Sequence, residues 1–159
     1  MKLIVAHGRS LEIGKEGDLP WKIKEDLIYF AQITKQASFL ISGRKTLASI
    51  PGKKLPGRKI VVVSTGYQAF HDEIIVGNPN DILSMQGVGD AIVIGGETMY
   101  RHFLHLCSEL LITSVDTDVL EADTFFPKYM DKFALKDRSE RYESNGLGYE
   151  FQRWVKKTL

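Results

Sequence analysis

Ala91-Ile92-Val93-Ile94-Gly95-Gly96-Glu97-Thr98 runs from four apolar residues directly into a glycine pair and then into a helical pattern. A strand without polar alternation is one buried on both faces, as the central strands of a parallel sheet are. Ile60-Val61-Val62-Val63 has the same character. Further strands are expected at residues 3–6, 39–42, 60–64, 74–76, 91–94 and 110–115, with helices near 25–36, 44–49, 79–85 and 98–106. Strands spaced by helices predict an α/β fold: a mostly parallel central sheet with helices on both faces. Towards the C-terminus, residues 133–142 and 149–156 flank Ser144-Asn145-Gly146-Leu147-Gly148, a turn-forming cluster. This predicts an antiparallel hairpin added to the sheet edge, with Glu150, Arg153, Lys156 and Lys157 as a solvated edge.

The 159 residues are expected to form a single domain, with 43% hydrophobic and 26% charged residues as in ordinary globular chains. A net charge of +1 gives no electrostatic case for nucleic acid or an anionic membrane. The lone Cys107 excludes an intrachain disulfide and suits a reducing cytosol. The apolar run Leu3-Ile4-Val5-Ala6 is too short for a signal peptide or a membrane span, so the expectation is a cytoplasmic protein. His102 and His105 share a helix face but Cys107 does not align with both, so no metal site is expected.

Parallel sheets bind ligands beyond the carboxyl ends of their strands. Those ends carry His7-Gly8, Gly43-Arg44-Lys45-Thr46, Ser64-Thr65-Gly66 and Gly95-Gly96-Glu97-Thr98. Glycines let an anion approach the backbone, and a helix N-terminus offers unpaired N–H groups. Two such turns on one edge, one of them with Arg44 and Lys45, fit a ligand with separated phosphates, although a glycine pair also serves turn geometry alone. Glu97 would compete with phosphate unless it points outward.

The stretch Leu19-Pro20-Trp21-Lys22-Ile23-Lys24-Glu25-Asp26-Leu27-Ile28-Tyr29-Phe30 supplies the chemistry. Helical spacing puts Asp26 on the same stripe as Ile23, Leu27, Phe30 and Ile33, while Lys22, Lys24 and Glu25 already furnish a polar face. A carboxylate on an apolar stripe must be paired or protonated, which suits it to proton chemistry. A first-turn Asp favoured by the helix dipole is the plain alternative. Residues 13–19 are polar and carry two glycines, as a lid or a simple surface loop would. Thr113 inside a strand needs a partner if it faces inward, and Arg58 beside Leu55-Pro56-Gly57 is placed to grip a carboxylate or to remain solvated.

In order and spacing, Ile13-Gly14, Leu19-Pro20-Trp21, Asp26-Leu27, Phe30, Gly43-Arg44-x-Thr46, Ser49-Ile50, Leu55-Pro56-Gly57-Arg58, Ile94-Gly95-Gly96, Tyr100, Thr113 and Asp123-Thr124-x-Phe126-Pro127 resemble the dihydrofolate reductase family over nearly the whole chain. The resemblance implies NADPH-dependent reduction of 7,8-dihydrofolate to 5,6,7,8-tetrahydrofolate, folate-analogue inhibitors and a monomer. It implies that Asp26 grips the pterin 2-amino group and N3 and promotes protonation at N5, supported by Thr113 and by a water held near Trp21. Leu27, Phe30, Ser49, Ile50 and Leu55 would line the substrate, Arg58 with Lys53 would meet the glutamyl carboxylate, and Ile4, Val5 and Ile94 would complete the pterin edge. For the cofactor it implies Ala6, Ile13 and Gly14 beside the nicotinamide, Gly17, Asp18 and Leu19 in the lid, and Gly43, Thr46, Gly95, Gly96, Glu97, Thr98 and Met99 near the phosphates. Arg44, Lys45, Ser64 and Thr65 would hold the adenosine end, Tyr100 would lie near both ligands, and Thr124 would follow Asp123, which fastens the lid. Ser42 stands where many members of the family carry a larger apolar residue, and His7-Gly8-Arg9-Ser10 is unusually polar after the first strand.

Two other readings are possible from the residues. A riboflavin-pathway reductase of the same fold would handle a ribitol phosphate and would not need an acid on an apolar helix face. A non-catalytic NADP-binding module would not need Asp26 either. Asp26 together with Arg58 favours folate.

Overall fold

The computed structural model describes residues 1–15, 19–50, 55–66, 69 and 72–158. Its strands are β1 (Lys2–His7), β2 (Glu12–Gly14), β3 (Leu40–Gly43), β4 (Ile60–Val63), β5 (Ile74–Val76), β6 (Ile92–Gly95), β7 (Glu109–Val115), β8 (Thr124–Phe125), β9 (Phe133–Arg138), β10 (Tyr142–Ser144) and β11 (Leu147–Lys156). The α-helices are α1 (Lys24–Thr34), α2 (Arg44–Ser49) and α3 (Glu97–Phe103).

Among the described residues the main sheet has the order β10-β11-β7-β1-β6-β3-β4-β5, with β9 also paired to β11. Every pair from β7 across to β5 is parallel, and β11 lies antiparallel to β7. β6 slots between β1 and β3, strands laid down before it in the chain, and its two neighbours explain its unbroken apolar run.

Side-chain alternation puts a core on each face of the sheet, and a smaller cluster gathers Trp21, Ile23, Val115 and Tyr149. On one face Leu3, Val5, Ile41, Val93, Leu110 and Ile112 pack with Met99, Tyr100 and Phe103 of α3. On the other face Ile4, Leu40, Ile92, Ile94 and Leu111 meet Leu47 of α2, with Tyr29, Phe30 and Ile33 of α1 packed against them. Helices on both faces of a mostly parallel sheet are the expected α/β architecture.

Four differences from the sequence reading have simple causes. Residues 79–84 form a 3₁₀ helix rather than an α-helix, opened by Pro79 after Asn78, whose side chain accepts the Asn80 N–H at 2.9 Å. The helix expected at 98–106 is α only over Glu97–Phe103 and tightens to 3₁₀ over Leu104–Leu106. Strand β11 is not an edge, because β9 and β10 pair along its far side. Its Arg153 therefore sits in an interior strand, bridging Glu109 of β7 at 2.6 Å and Asp137 of β9 at 3.0 Å. Finally, Ile13 and Gly14 are not loop: β2 pairs antiparallel with β8 in a separate two-stranded sheet. Three- and two-residue strands are too short for periodicity to announce them.

Candidate active site

The carboxyl ends of the parallel strands β1, β3, β6 and β7 face a common edge, and α1, packed on one face of the sheet, carries Asp26 in its first turn. Helix α1 opens at Ile23, whose carbonyl accepts the N–H groups of Asp26 and Leu27. Thr113 lies in β7, in register with Ala6 of β1 and Phe151 of β11. It is 1% exposed, and its hydroxyl donates to Asp26 Oδ1 at 2.6 Å. Burial pushes the Asp26 carboxyl above the ordinary carboxylate range, opposed by the bond from Thr113. The expected stripe is only partly realised: Phe30 and Ile33 pack against the core, but Leu27 is 56% exposed and takes no part in it.

Trp21, clustered with Ile23 and Val115, is 7% exposed, and its indole Nε1–H is buried without a hydrogen-bond partner among the described residues. The backbone carbonyls of Ile4 and Ile94 converge on the Tyr100 hydroxyl, at 2.8 and 2.9 Å. Each retains a second lone pair for another donor. Val5 turns its side chain to the opposite core, so its backbone alone is on offer at this edge. Ile50 and Leu55 pack against the α1-side core. Ser49 is exposed and returns its hydroxyl to the Thr46 carbonyl at 2.7 Å.

Arg58 is half-buried and braced by the protein. Its Nε donates to Thr34 Oγ1 at 3.0 Å, and its two terminal nitrogens to the carbonyls of Ala31 and Pro56, both at 2.9 Å. Thr34, buried at the end of α1, was not singled out from sequence, although it falls beside Ile33 on the helix's inner side. Lys53, Gly17 and Asp18 lie outside the described residues.

The second half of the edge is a glycine-lined cradle. Ser42 of β3 is in register with Gly95 of β6, bringing the starts of α2 and α3 side by side. A Cβ on Gly96 would stand 3.0 Å from Thr46 Oγ1, and one on Gly95, where φ is +128°, would meet the Tyr100 hydroxyl at 3.2 Å. Bare backbone is thus required here, which fits the close approach of a phosphate-bearing cofactor. Arg44, Lys45, Thr65 and Thr98 are exposed around it, Ser64 is half-buried, and Met99 is buried beneath. Glu97 does point away: its carboxylate takes Arg101 at 3.0 Å and the Phe125 N–H at 3.3 Å. Ser42, fully buried, is satisfied by its bond to the Gly43 carbonyl at 2.9 Å.

Ile13 and Gly14 sit in β2, and the Asp123 backbone N–H donates to the Gly14 carbonyl at 3.1 Å. Leu19 is exposed, and the Thr124 hydroxyl donates to Asp123 Oδ1 at 3.4 Å. A family model described as Dihydrofolate reductase matches residues 1–156. The chain belongs to the dihydrofolate reductase family. Its relatives include the dihydrofolate reductase of Bacillus subtilis (strain 168), 36% identical with 99% of this chain and 95% of that protein covered. Those of Neisseria gonorrhoeae (34%; 98% and 97% covered) and Buchnera aphidicola subsp. Acyrthosiphon pisum (32%; 96% of each) are similar over the same length. Dihydrofolate reductases are NADPH-dependent oxidoreductases, so the cradle and its flanking cations match the family's cofactor.

Sequence reasoning missed a buried polar cluster at the carboxyl end of β1. His7 is 5% exposed; its Nδ1 lies 2.8 Å from the Gly8 carbonyl and its Nε2 2.9 Å from the Tyr129 hydroxyl. Glu12 is also buried. Polar residues in a short run after a strand gave no periodic signal that they turn inward. Cys107 is buried, its thiol pushed up to about 12 by burial, and it donates to the Phe103 carbonyl. Among the described residues no group of three or more His, Cys, Asp or Glu could hold a metal ion. Nor is any described helix long and apolar enough to cross a membrane.

Proposed function

We propose that Asp26 directs the proton in the reduction of 7,8-dihydrofolate to 5,6,7,8-tetrahydrofolate, the reaction of this family. The observation that carries this reading is the Thr113 hydroxyl 2.6 Å from a half-buried Asp26 carboxylate. When bound, NADPH supplies the hydride that the pterin receives at C6. Asp26 grips the 2-amino group and N3 and promotes protonation at N5 through the pterin enol or an ordered water. Burial raises its pKa and so favours the protonated acid that proton transfer needs. Thr113 holds the carboxylate in one orientation, and the unpartnered Trp21 N–H is a donor suited to fixing the water.

Leu27, Phe30, Ile50 and Leu55 wall the substrate, and the exposed Leu27 is available to cover it. Arg58, preorganised by three hydrogen bonds, meets the glutamyl α-carboxylate, with Lys53 a weaker helper. Ile4 and Ile94 present their carbonyls to the pterin edge, with Val5 contributing backbone and Ser49 lying at the rim. On the cofactor side, Ala6, Ile13 and Gly14 flank the nicotinamide, and Gly43, Thr46 and Gly95–Met99 receive the pyrophosphate. Arg44, Lys45, Ser64 and Thr65 hold the adenosine end, where the two cations favour NADPH over NADH. Tyr100 stands between the two ligands, Gly17, Asp18 and Leu19 belong to the lid, and Asp123 with Thr124 secures it. Alignment and exclusion of water supply much of the rate in such a site. We take residues 1–159 as one domain, acting as a cytoplasmic monomer on small-molecule ligands and without nucleic acid or membrane.

Asp26→Asn tests the centre of this reading. The amide can still accept from Thr113, so the variant folds; its turnover at pH 7 falls by roughly 100-fold or more, and the deficit narrows on acidification. Undiminished turnover in a folded variant removes Asp26 from the mechanism.

A further inference from the structure

We propose that Glu12 is a positioning residue, which sets the affinity for NADPH by holding Ile13 and Gly14 in place. The inference rests on the cofactor placement proposed above and adds to it a residue that touches neither ligand.

Glu12 opens β2, between Leu11 and Ile13, and is 2% exposed. Its carboxylate is fully engaged by backbone. One oxygen accepts the Ser10 N–H and the other the Val119 N–H, each at 2.7 Å. Ser10 belongs to the turn leaving β1, and Val119 to the segment leaving β7, the parallel neighbour of β1. One buried side chain therefore joins the two connections that feed β2 and β8. Burial alone would raise the pKa of Glu12, but the N–H groups of Val119, Glu12 itself and Ser10, with His7 nearby, hold it below the ordinary value. The group is anionic in the folded protein at neutral pH.

The surroundings are built to this carboxylate. A Cβ on Gly8 would stand 2.7 Å from Glu12 Oε1 and 2.8 Å from the Thr117 carbonyl, so position 8 admits only glycine without a shift. Gly8 N–H donates to the Glu12 carbonyl at 3.0 Å, and Arg9 N–H to the Thr117 carbonyl at 2.9 Å. Arg9 adds ion pairs to Asp116 at 2.7 Å and Asp118 at 3.0 Å, but all three side chains are exposed, the least of them at 41%, and these pairs contribute little. Charge-assisted bonds shielded from water are the stronger link. The next two residues after Glu12 are Ile13, packed against the main core, and Gly14, tied to Asp123. Their position follows from where the carboxylate anchors the strand's first residue.

The test is Glu12→Gln, which keeps the shape but sets an amide N–H against one of two backbone N–H groups. Dissociation of NADPH from the full chain is followed by tryptophan fluorescence quenching, with steady-state constants for both substrates and a melting temperature. The expected result is a five- to fiftyfold rise in Kd and KM for NADPH, with KM for dihydrofolate within twofold of the parent. Gly8→Ala, which displaces the same carboxylate, gives the same split and serves if Glu12→Gln does not fold. A lowered Tm with both NADPH constants within twofold makes Glu12 a structural brace only and overturns the proposal. Equal losses for both substrates overturn it as well. Ile13→Ala separates the two levels of inference. If it weakens NADPH while the Glu12 and Gly8 variants do not, only the positioning role fails. If Ile13→Ala is itself silent, the cofactor placement fails and takes the proposal with it.

Discussion

Asp26 and Thr113 are 87 residues apart in the chain and 2.6 Å apart in the fold. The first is in the opening turn of α1 and the second in β7, the strand that joins the parallel sheet to its antiparallel extension. Two opposing influences meet in this contact. Burial favours the neutral acid, and the hydroxyl donated by Thr113 favours the carboxylate. Burial is the larger of the two, and the net shift is upward.

Thr113→Val removes the hydroxyl while keeping the volume. The pKa of Asp26 then rises further, because the influence that lowers it is gone. A lost hydrogen bond to a charged group is worth about 1.5 kcal/mol or more, close to one pH unit. The alkaline limb of the kcat/KM profile for dihydrofolate is expected to move up by about one unit. A limb that stays in place assigns that titration to some other group.

Arg58→Lys discards the planar fork that spans Thr34, Ala31 and Pro56. A lysine ammonium cannot satisfy those acceptors and also present a bidentate face. KM for dihydrofolate should increase by roughly tenfold to 100-fold with kcat little changed, since the lost contact is made equally before and during reaction. A pterin substrate without the glutamyl tail should show no difference between the two proteins. Thr34→Val, which removes one brace, should give a smaller effect in the same direction.

Stability should depend on pH through His7. Its Nδ1 faces the Gly8 carbonyl and must donate, so Nε2 is the acceptor for the Tyr129 hydroxyl. Burial lowers the pKa of this ring, only partly offset by the Gly8 carbonyl and Glu12. Below the ordinary value of 6.5 the unfolded chain binds the proton more readily than the folded one. The contribution of His7 is therefore full above pH 6.5 and is lost as pH falls through and below it. Urea midpoints at pH 7.5 and 5.5 should differ less for His7→Leu than for the parent; comparing the two proteins cancels the opposite contribution of Asp26. Tyr129→Phe strands the Nε2 acceptor and should cost about 1–3 kcal/mol at pH 7.5.

The sequence by itself determined the architecture and named the residues of the candidate site. Unbroken apolar runs at 60–63 and 91–94 mark strands buried on both faces, and the glycine pair that closes β6 marks where backbone must stay bare. Those signals are local: they depend on a residue and its near neighbours, and the helix 44–49 and strand 74–76 emerge with their observed bounds. Asp26 was visible for the same reason, as a carboxylate out of place on an apolar stripe. Tertiary structure alone decided the partners. The hydroxyl opposite Asp26, the Thr34 brace beneath Arg58, the Tyr129 donor to His7 and the two N–H groups on Glu12 come from segments separated by up to 122 residues. No periodicity relates such segments, because a hydrogen bond is specified by strand register and by distances of tenths of an ångström. Leu27 shows the same limit in reverse: helical spacing assigned it to the apolar stripe, but the surface α1 packs against ends short of it. Spacing tells which way a side chain points along its own element; only packing decides what it meets there.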